Sequence, residues 1–263
     1  MSVESSLVRS ARVQARIIGA LLLREIITRY GRHNIGFTWL FAEPMLFTIG
    51  VLLLWTTVVM HQTPIPVVPF TLSGYATVLL WRNTISRCGD AVEPNRSLLH
   101  HRNVRVIDLF AARILLEVAG ATISFMVLAL ILGAIGLIKP PENIMLMITA
   151  WLLLAWFSID LALLIGALAS LSETAHRMWH VFSYLFLPLS GAFFLVHWLP
   201  RHFQSWVLLI PTVDCTEMLR DGLIGISTHA QYDAAYVVLF NAVMLLPGLL
   251  LLRIVARTVE GEG

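Results

Sequence analysis

The chain has 263 residues, 58% of them hydrophobic and only 13% charged, with a mean hydropathy of +0.80. A soluble globular domain carries about 25% charged residues, so a water-solvated fold is excluded and the lipid bilayer is the solvent that suits this composition. The net charge of +2 is small, and no nucleic-acid partner is expected.

The first segment, Met1 to Ala15, is polar and basic with no apolar stretch, so no cleavable signal peptide is expected. Residues 6–32 have the character of a helix lying at the membrane interface. Arg9, Arg12 and Arg16 share one face at helical spacing, whereas Glu25, Arg29 and Arg32 share another. Those faces point nearly opposite ways, which predicts either a bend near Gly19 or two environments along one helix. The residues leave two readings open: a helix anchored to anionic lipid, or one wedged between the membrane and a cytoplasmic partner.

A membrane span needs about 20 mostly apolar residues. Six such segments follow, near 41–60, 67–86, 114–138, 144–170, 179–199 and 235–256. Glu43 stands at the entry of the first, with Pro44 expected in its first turn, where a missing N–H costs little. The second segment is the weakest, diluted by Thr71, Ser73, Gly74 and Thr77, and ends at Trp81-Arg82. The third carries Glu117 one turn after Arg113, a spacing that predicts an ion pair. The fourth is long enough to tilt and holds Asp160 at depth. An intramembrane acid is costly, and with no second deep acid beside it, a polar contact between helices is expected rather than a proton relay.

Between the fifth and sixth spans, 200–231 contains an apolar run too short to cross, Trp206 to Pro211, and then Glu217-Met218-Leu219-Arg220-Asp221-Gly222 with helical character. This predicts a re-entrant or interfacial helix pair, whose backbone at that depth must be shielded by protein or water. The expected fold is therefore an all-α integral membrane domain over 1–263: six transmembrane helices, an N-terminal interface helix, and a re-entrant segment before the last span. No internal repeat is present, which weighs against an inverted-repeat secondary transporter.

Orientation follows from the arginines. With the N-terminus inside, fifteen of the eighteen Lys and Arg residues are cytoplasmic, leaving only Lys139, Arg201 and Arg220 outside. Such a bias places both termini in the cytoplasm. Cys88 and Cys215 then fall on opposite sides of the membrane and cannot pair within one chain.

The stretch Arg24 to Pro44 carries the most specific motif: Arg24-Glu25, Thr28-Arg29-Tyr30-Gly31-Arg32, Gly36, Trp39 and Glu43-Pro44. It resembles the signature at the start of ABC-2-type permeases that export polysaccharides, capsular polysaccharide exporters above all. A shorter echo of that family is Leu98-Leu99-His100-His101-Arg102-Asn103-Val104. The resemblance implies an interface helix bearing Arg24, Glu25, Arg29, Tyr30 and Arg32. It implies a homodimer in a bacterial inner membrane, served by two ABC ATPase subunits. The cargo implied is a lipid-linked polysaccharide, and periplasmic or outer-membrane export proteins are further expected partners.

The chain itself has no ATP site. A phosphate-binding loop needs Gly-Lys before Ser or Thr, and the only lysine, Lys139, lies between Ile138 and Pro140. ATP and Mg are therefore expected on the partner subunit, with no cofactor, metal or catalytic residue here. The loop after the second span is a solvated basic loop on its residues alone. Given the resemblance, Pro94, Asn95, Arg96, Ser97, Leu98, Leu99, His100 and Arg102 form the helix that docks in the ATPase, with Leu98 and Leu99 as its apolar contacts.

For the path, Arg82 and Arg87 are expected near the cytoplasmic interface, where arginine holds phosphate bidentately. Trp55, Tyr75, Trp81, Trp156 and Tyr184 supply rings on which sugars stack. Trp39, Trp179 and Trp198 fit an interfacial belt. Two alternatives stand beside this reading. One is an ABC-2 exporter of O-antigen, teichoic acid or a drug. The other is a polytopic glycosyl- or acyltransferase, for which Asp90 with Glu93 and His100 with His101 are the only clustered candidates.

Overall fold

The computed structural model describes residues 3–30, 35–59, 65–101, 104–225 and 229–261. Arg32 and Arg102 lie outside these residues, as do the side chains of Arg29, Tyr30, Ser97 and His100. Among the described residues there is no strand. The helices are α1 (Val3–Tyr30), α2 (Ile35–Val59), α3 (Val67–Gly89), α4 (Arg96–His101), α5 (Val106–Ala134), α6 (Ile144–Leu171), α7 (Glu173–Phe186), α8 (Arg201–Val207), α9 (Pro211–Ile224) and α10 (Ala234–Gly261). Among the described residues, three are long and apolar enough to cross a membrane: α5, α6 and α10 from Ala234 to Val259. A shorter apolar stretch, Ala42–Trp55, lies in α2.

α3 and α6 form the centre. Leu72, Leu80, Phe125, Trp151, Leu154, Phe157, Met218 and Leu219 pack where α3, α5, α6 and α9 meet. A second cluster joins Trp81, Ile85, Phe110, Ala162, Leu163, Trp179 and Leu252. α10 is peripheral: 22% of its most apolar window is buried, against 56% for α6. α3 is the least apolar of the expected spans, yet fourteen of its 23 residues are buried. Three of its polar side chains satisfy themselves on the backbone. Ser73 Oγ donates to Pro69 O at 2.8 Å, Thr77 Oγ1 to Gly74 O at 2.7 Å, and Thr84 Oγ1 to Leu80 O at 2.6 Å. Small residues let neighbours approach closely, as they do in lipid. A Cβ at Gly74 would collide with the Ala192 carbonyl oxygen, and one at Gly166 with the Phe110 ring.

Several boundaries differ from those expected. α2 begins at Ile35, so Pro44 sits inside the helix rather than in its first turn. There it removes a backbone hydrogen bond, and the Thr48 hydroxyl donates to the Pro44 carbonyl at 2.8 Å. The helix expected at 114–138 starts at Val106 and ends at Ala134. Arg105 N donates to Asp108 Oδ2 at 3.0 Å and closes its first turn. α1 runs uninterrupted through Gly19.

The largest difference is at 179–199. The helix there begins at Glu173, capped by Ser172, stops at Phe186, and continues only as a 3₁₀ turn, Leu187–Leu189. Pro188 lacks the N–H that a continuing helix needs, and Gly191 adopts φ +83, a left-handed conformation open to glycine. An extended stretch and a second 3₁₀ turn, Val196–Trp198, lead into α8. Hydropathy registers the apolar residues of this stretch but not the point where its backbone leaves the helix.

Candidate functional site

Three kinds of polar feature interrupt this apolar fold, and they lie in different places. At one end, α1 is fastened to the segment after α3 and to the start of α5. Arg24 Nη1 donates to Asn95 Oδ1 at 2.6 Å, and the Asn95 amide donates to Ala91 O at 2.9 Å. Glu25 Oε1 lies 3.4 Å from Arg113 Nε, and Arg113 Nη1 donates to Arg87 O at 2.6 Å. Arg87 reaches Glu117 at 3.8 Å. Gln14 hydrogen-bonds Asp108. The helical spacing of Arg113 and Glu117 predicted a partnership within α5. Arg113 also reaches α1 and the carbonyl of Arg87, and Glu117 faces Arg87 on α3. Asp90 and His176, 3.4 Å apart, tie the end of α3 to α7.

The segment expected to dock a partner is a 3₁₀ turn, Glu93–Asn95, followed by α4. Leu98 and Leu99 pack inward on Leu21 of α1 and on Leu109 and Ala112 of α5. Asn95 is buried, whereas Glu93, Pro94 and Arg96 are exposed, with Glu93 and Arg96 paired at 3.1 Å. The outward surface of this segment is thus polar.

The residues expected along a path separate into different surroundings. Arg82 lies over the Tyr184 ring, 4.2 Å from its centroid, and Tyr75 stands two turns earlier on the same helix. Trp81 is fully buried, edge-on to Phe186 at 5.3 Å, so it packs the core. Trp55 joins an aromatic cluster with Phe70 and Phe193, and Trp156 packs beside the central core. Trp198 and Trp39 are exposed, but Trp179 is buried and its ring N–H donates to Ser86 Oγ at 3.3 Å. Asp160 is fully buried, and no geometrically formed hydrogen bond reaches either of its carboxylate oxygens among the described residues.

The opposite end holds the feature that sequence reading missed. Every residue of α9 from Pro211 to Arg220 is buried, including Asp214, Glu217 and Arg220. Arg220 donates to the carbonyls of Gly191 at 2.8 Å, Phe194 at 2.7 Å and Ala192 at 2.5 Å. Its guanidinium also sits 4.0 Å from the Phe70 ring centroid and 3.9 Å from Glu217. Broken backbone in an apolar surround must have its carbonyls satisfied, and one side chain supplies three donors to the stretch after α7. Glu217 in turn accepts from Val196 N and Gln231 N. Burial pushes its carboxyl above the usual range, with Arg220 pulling it back. The Glu-x-x-Arg spacing was visible at the outset, but nothing local marked it as interior.

Among the described residues, no group of three or more His, Cys, Asp or Glu is placed to hold a metal ion. Neither cysteine is paired, and both are buried.

Residues 16–224 match the ABC-2 type transporter family. The chain is 46% identical to the capsule polysaccharide export inner-membrane protein CtrC of Neisseria meningitidis serogroup A, over 98% of this chain and 97% of that protein. It is 40% identical to the capsule polysaccharide export inner-membrane protein BexB of Haemophilus influenzae, over 97% and 96%. It is also 30% identical to the polysialic acid transport protein KpsM of Escherichia coli, over 92% and 94%. The family match covers most of the chain and the relatives match it almost end to end, so this chain belongs to the ABC-2 type transporters.

Proposed function

We propose that the chain is the permease subunit of an ATP-driven exporter that moves lipid-linked capsular polysaccharide across a bacterial inner membrane. The observation that carries this reading is the near full-length similarity to capsule export inner-membrane proteins, 46% identical in the first case. The absence of a phosphate-binding loop supports assigning ATP and Mg to a separate ABC subunit. Two copies of the chain, with two such subunits, complete the transporter. Both termini are cytoplasmic, which puts the α1–α4–α5 end inside and the α8–α9 end outside.

The path lies between two copies. Within one chain the central helices are packed by Trp81, Leu80, Leu154 and their neighbours, and the described residues leave no polar conduit there. The exposed face of α7, with Met178, Val181, Phe182 and Leu185, and that of α2, with Leu46 and Phe47, are apolar surfaces offered to a second copy. Arg82 over Tyr184 stands at the inner half of this arrangement and receives the phosphate of the lipid end.

Glu93, Pro94 and Arg96 present the ATPase-facing surface. Leu98 and Leu99 act from behind it, transmitting displacement to α1 and α5. Alternating ATP binding and hydrolysis then rocks α1 with the docking segment and α5, because Arg24–Asn95 joins α1 to the first and Glu25–Arg113 joins it to the second.

Affinity purification from the native membrane, with mass spectrometry of what co-purifies, tests the assignment. A stoichiometric partner with ATP-binding signatures, and loss of surface polysaccharide when the gene is deleted, are the expected results. An intact capsule after deletion would overturn the cargo. Absence of any ATPase in a preparation that keeps other membrane complexes together would overturn the mechanism.

A further inference from the structure

At the α8–α9 end lies an open cavity of about 550 Å³ that the export reading does not use. That is the size range of small-ligand sites, roughly 300–1,000 Å³. Leu208, Leu209 and the Tyr236 side chain form its apolar wall. Asp214, Asp221 and Asp233 supply carboxylates, and no basic side chain is among the lining residues. The nearest cation in sequence, Arg220, is committed to the carbonyls of Gly191, Ala192 and Phe194.

The cavity is a built site rather than a gap between loops. The segment leading to α10 is fastened to α9 at three successive residues. Gln231 N donates to Glu217 Oε2 at 3.3 Å, the Tyr232 hydroxyl to Asp221 Oδ2 at 2.9 Å, and Asp233 N to Asp214 Oδ1 at 2.7 Å. One acceptor remains over. Asp214 is 2% exposed, lines the cavity, and among the described residues its Oδ2 has no hydrogen-bond partner. Leaving a buried acceptor unsatisfied is costly, and a donor arriving from the cavity would relieve it.

The two tyrosine hydroxyls on the wall are already spent. Tyr232 donates to Asp221, and the Tyr236 hydroxyl donates to Leu209 O at 2.7 Å. A ligand must therefore bring its own protons, and the uncompensated carboxylates favour one that also brings positive charge. An anion is disfavoured on the same ground. An aromatic wall beside an acidic floor suits a cation whose stem is apolar.

We infer that this cavity binds an organic cation, a guanidinium or primary ammonium group on an apolar stem. Asp214 and Asp221 are its charged partners, and Leu208, Leu209 and Tyr236 line its stem. Burial pushes the Asp214 carboxyl up to about 6, with the Asp233 N–H opposing. The inference does not depend on what the chain exports.

The full chain in lipid nanodiscs is titrated calorimetrically with agmatine, which carries a guanidinium and an ammonium on a four-carbon stem. Saturable binding is expected, weakened at least tenfold by Asp214→Asn and severalfold by Asp221→Asn. Asp221 is only half-buried, so its variant keeps the test alive if Asp214→Asn does not fold. A short peptide with one arginine is titrated in parallel. Tighter binding of the peptide identifies a protein side chain as the source of the cation, and tighter binding of agmatine identifies a free amine. No agmatine binding, binding unchanged in both variants, or preferential binding of a neutral sugar such as glucose overturns the proposal.

Discussion

The two ends of this molecule solve the problem of charge in an apolar chain in opposite ways. At the α1–α5 end, charges meet side chain to side chain across helices, each pair setting a partly exposed group against a buried one: Arg87 (45% exposed) against Glu117 (8%), and Glu25 (27%) against Arg113 (10%). At the α8–α9 end, Arg220 is completely buried and spends its donors on backbone carbonyls. The first arrangement joins elements that remain separate helices. The second replaces hydrogen bonds that a helix lost when it broke at Pro188. Exposed pairs contribute little and can exchange partners, whereas a buried charge whose partner is removed is heavily penalised. One end thus joins separate helices, and the other holds a broken backbone together.

The sharpest test of that contrast is Arg220→Ala, which strands the carbonyls of Gly191, Ala192 and Phe194 and leaves Glu217 without its cation. A loss of about 3–5 kcal/mol is expected, seen as a collapse of the folded fraction in detergent thermal unfolding. A wild-type melting curve would erase the distinction between the ends. Arg113→Ala removes the Glu25 contact and the bond to Arg87 O. About 1.5–3 kcal/mol is at stake for hydrogen bonds to a charged group, and export should fall further than folded yield does.

Asn95→Ala cuts the link to Arg24 at about 1 kcal/mol. It should leave the melting midpoint within a few degrees while slowing surface polysaccharide appearance. Equal loss of yield and export would make the link merely structural. The smallest effect is expected from Arg177→Ala. Its pair with Glu173, at 2.5 Å, is three-quarters exposed on both sides, so less than about 0.5 kcal/mol should change. A larger loss there would mean that exposed pairs in this protein carry more than the comparison allows.

Much of the fold was legible because lipid imposes simple length and composition rules. α6 was read almost residue for residue, since Asn143 accepts from Leu146 N as a cap and Ser172 closes the other end. α3 was underrated for a physical reason. Hydropathy scores Thr71, Ser73 and Thr77 as if they met lipid, although they face other helices. The break after Phe186 was hidden because Phe193, Phe194 and Leu195 are as apolar as a helix would be. Pro188 and Gly191 were the available signals.

The docking segment was placed in sequence by its motif, but the motif does not say which side faces in. Leu98 and Leu99 turn to α1 because that helix covers them with Ile17, Ile18 and Leu21. Arg220 was counted with the exterior charges, since a positive-inside count registers which side a charge lies on and not whether protein encloses it.

The burial of both thiols has a practical sequel. Cys88 and Cys215 are 0% and 1% exposed, so an impermeant maleimide meets neither on the folded chain. The native pair therefore cannot report sidedness. For the same reason the natural sequence already serves as a silent background for cysteine scanning. A single Lys139→Cys or Glu173→Cys, both at exposed positions, can be labelled on whole cells and on inverted vesicles without first stripping the protein of its own sulfur.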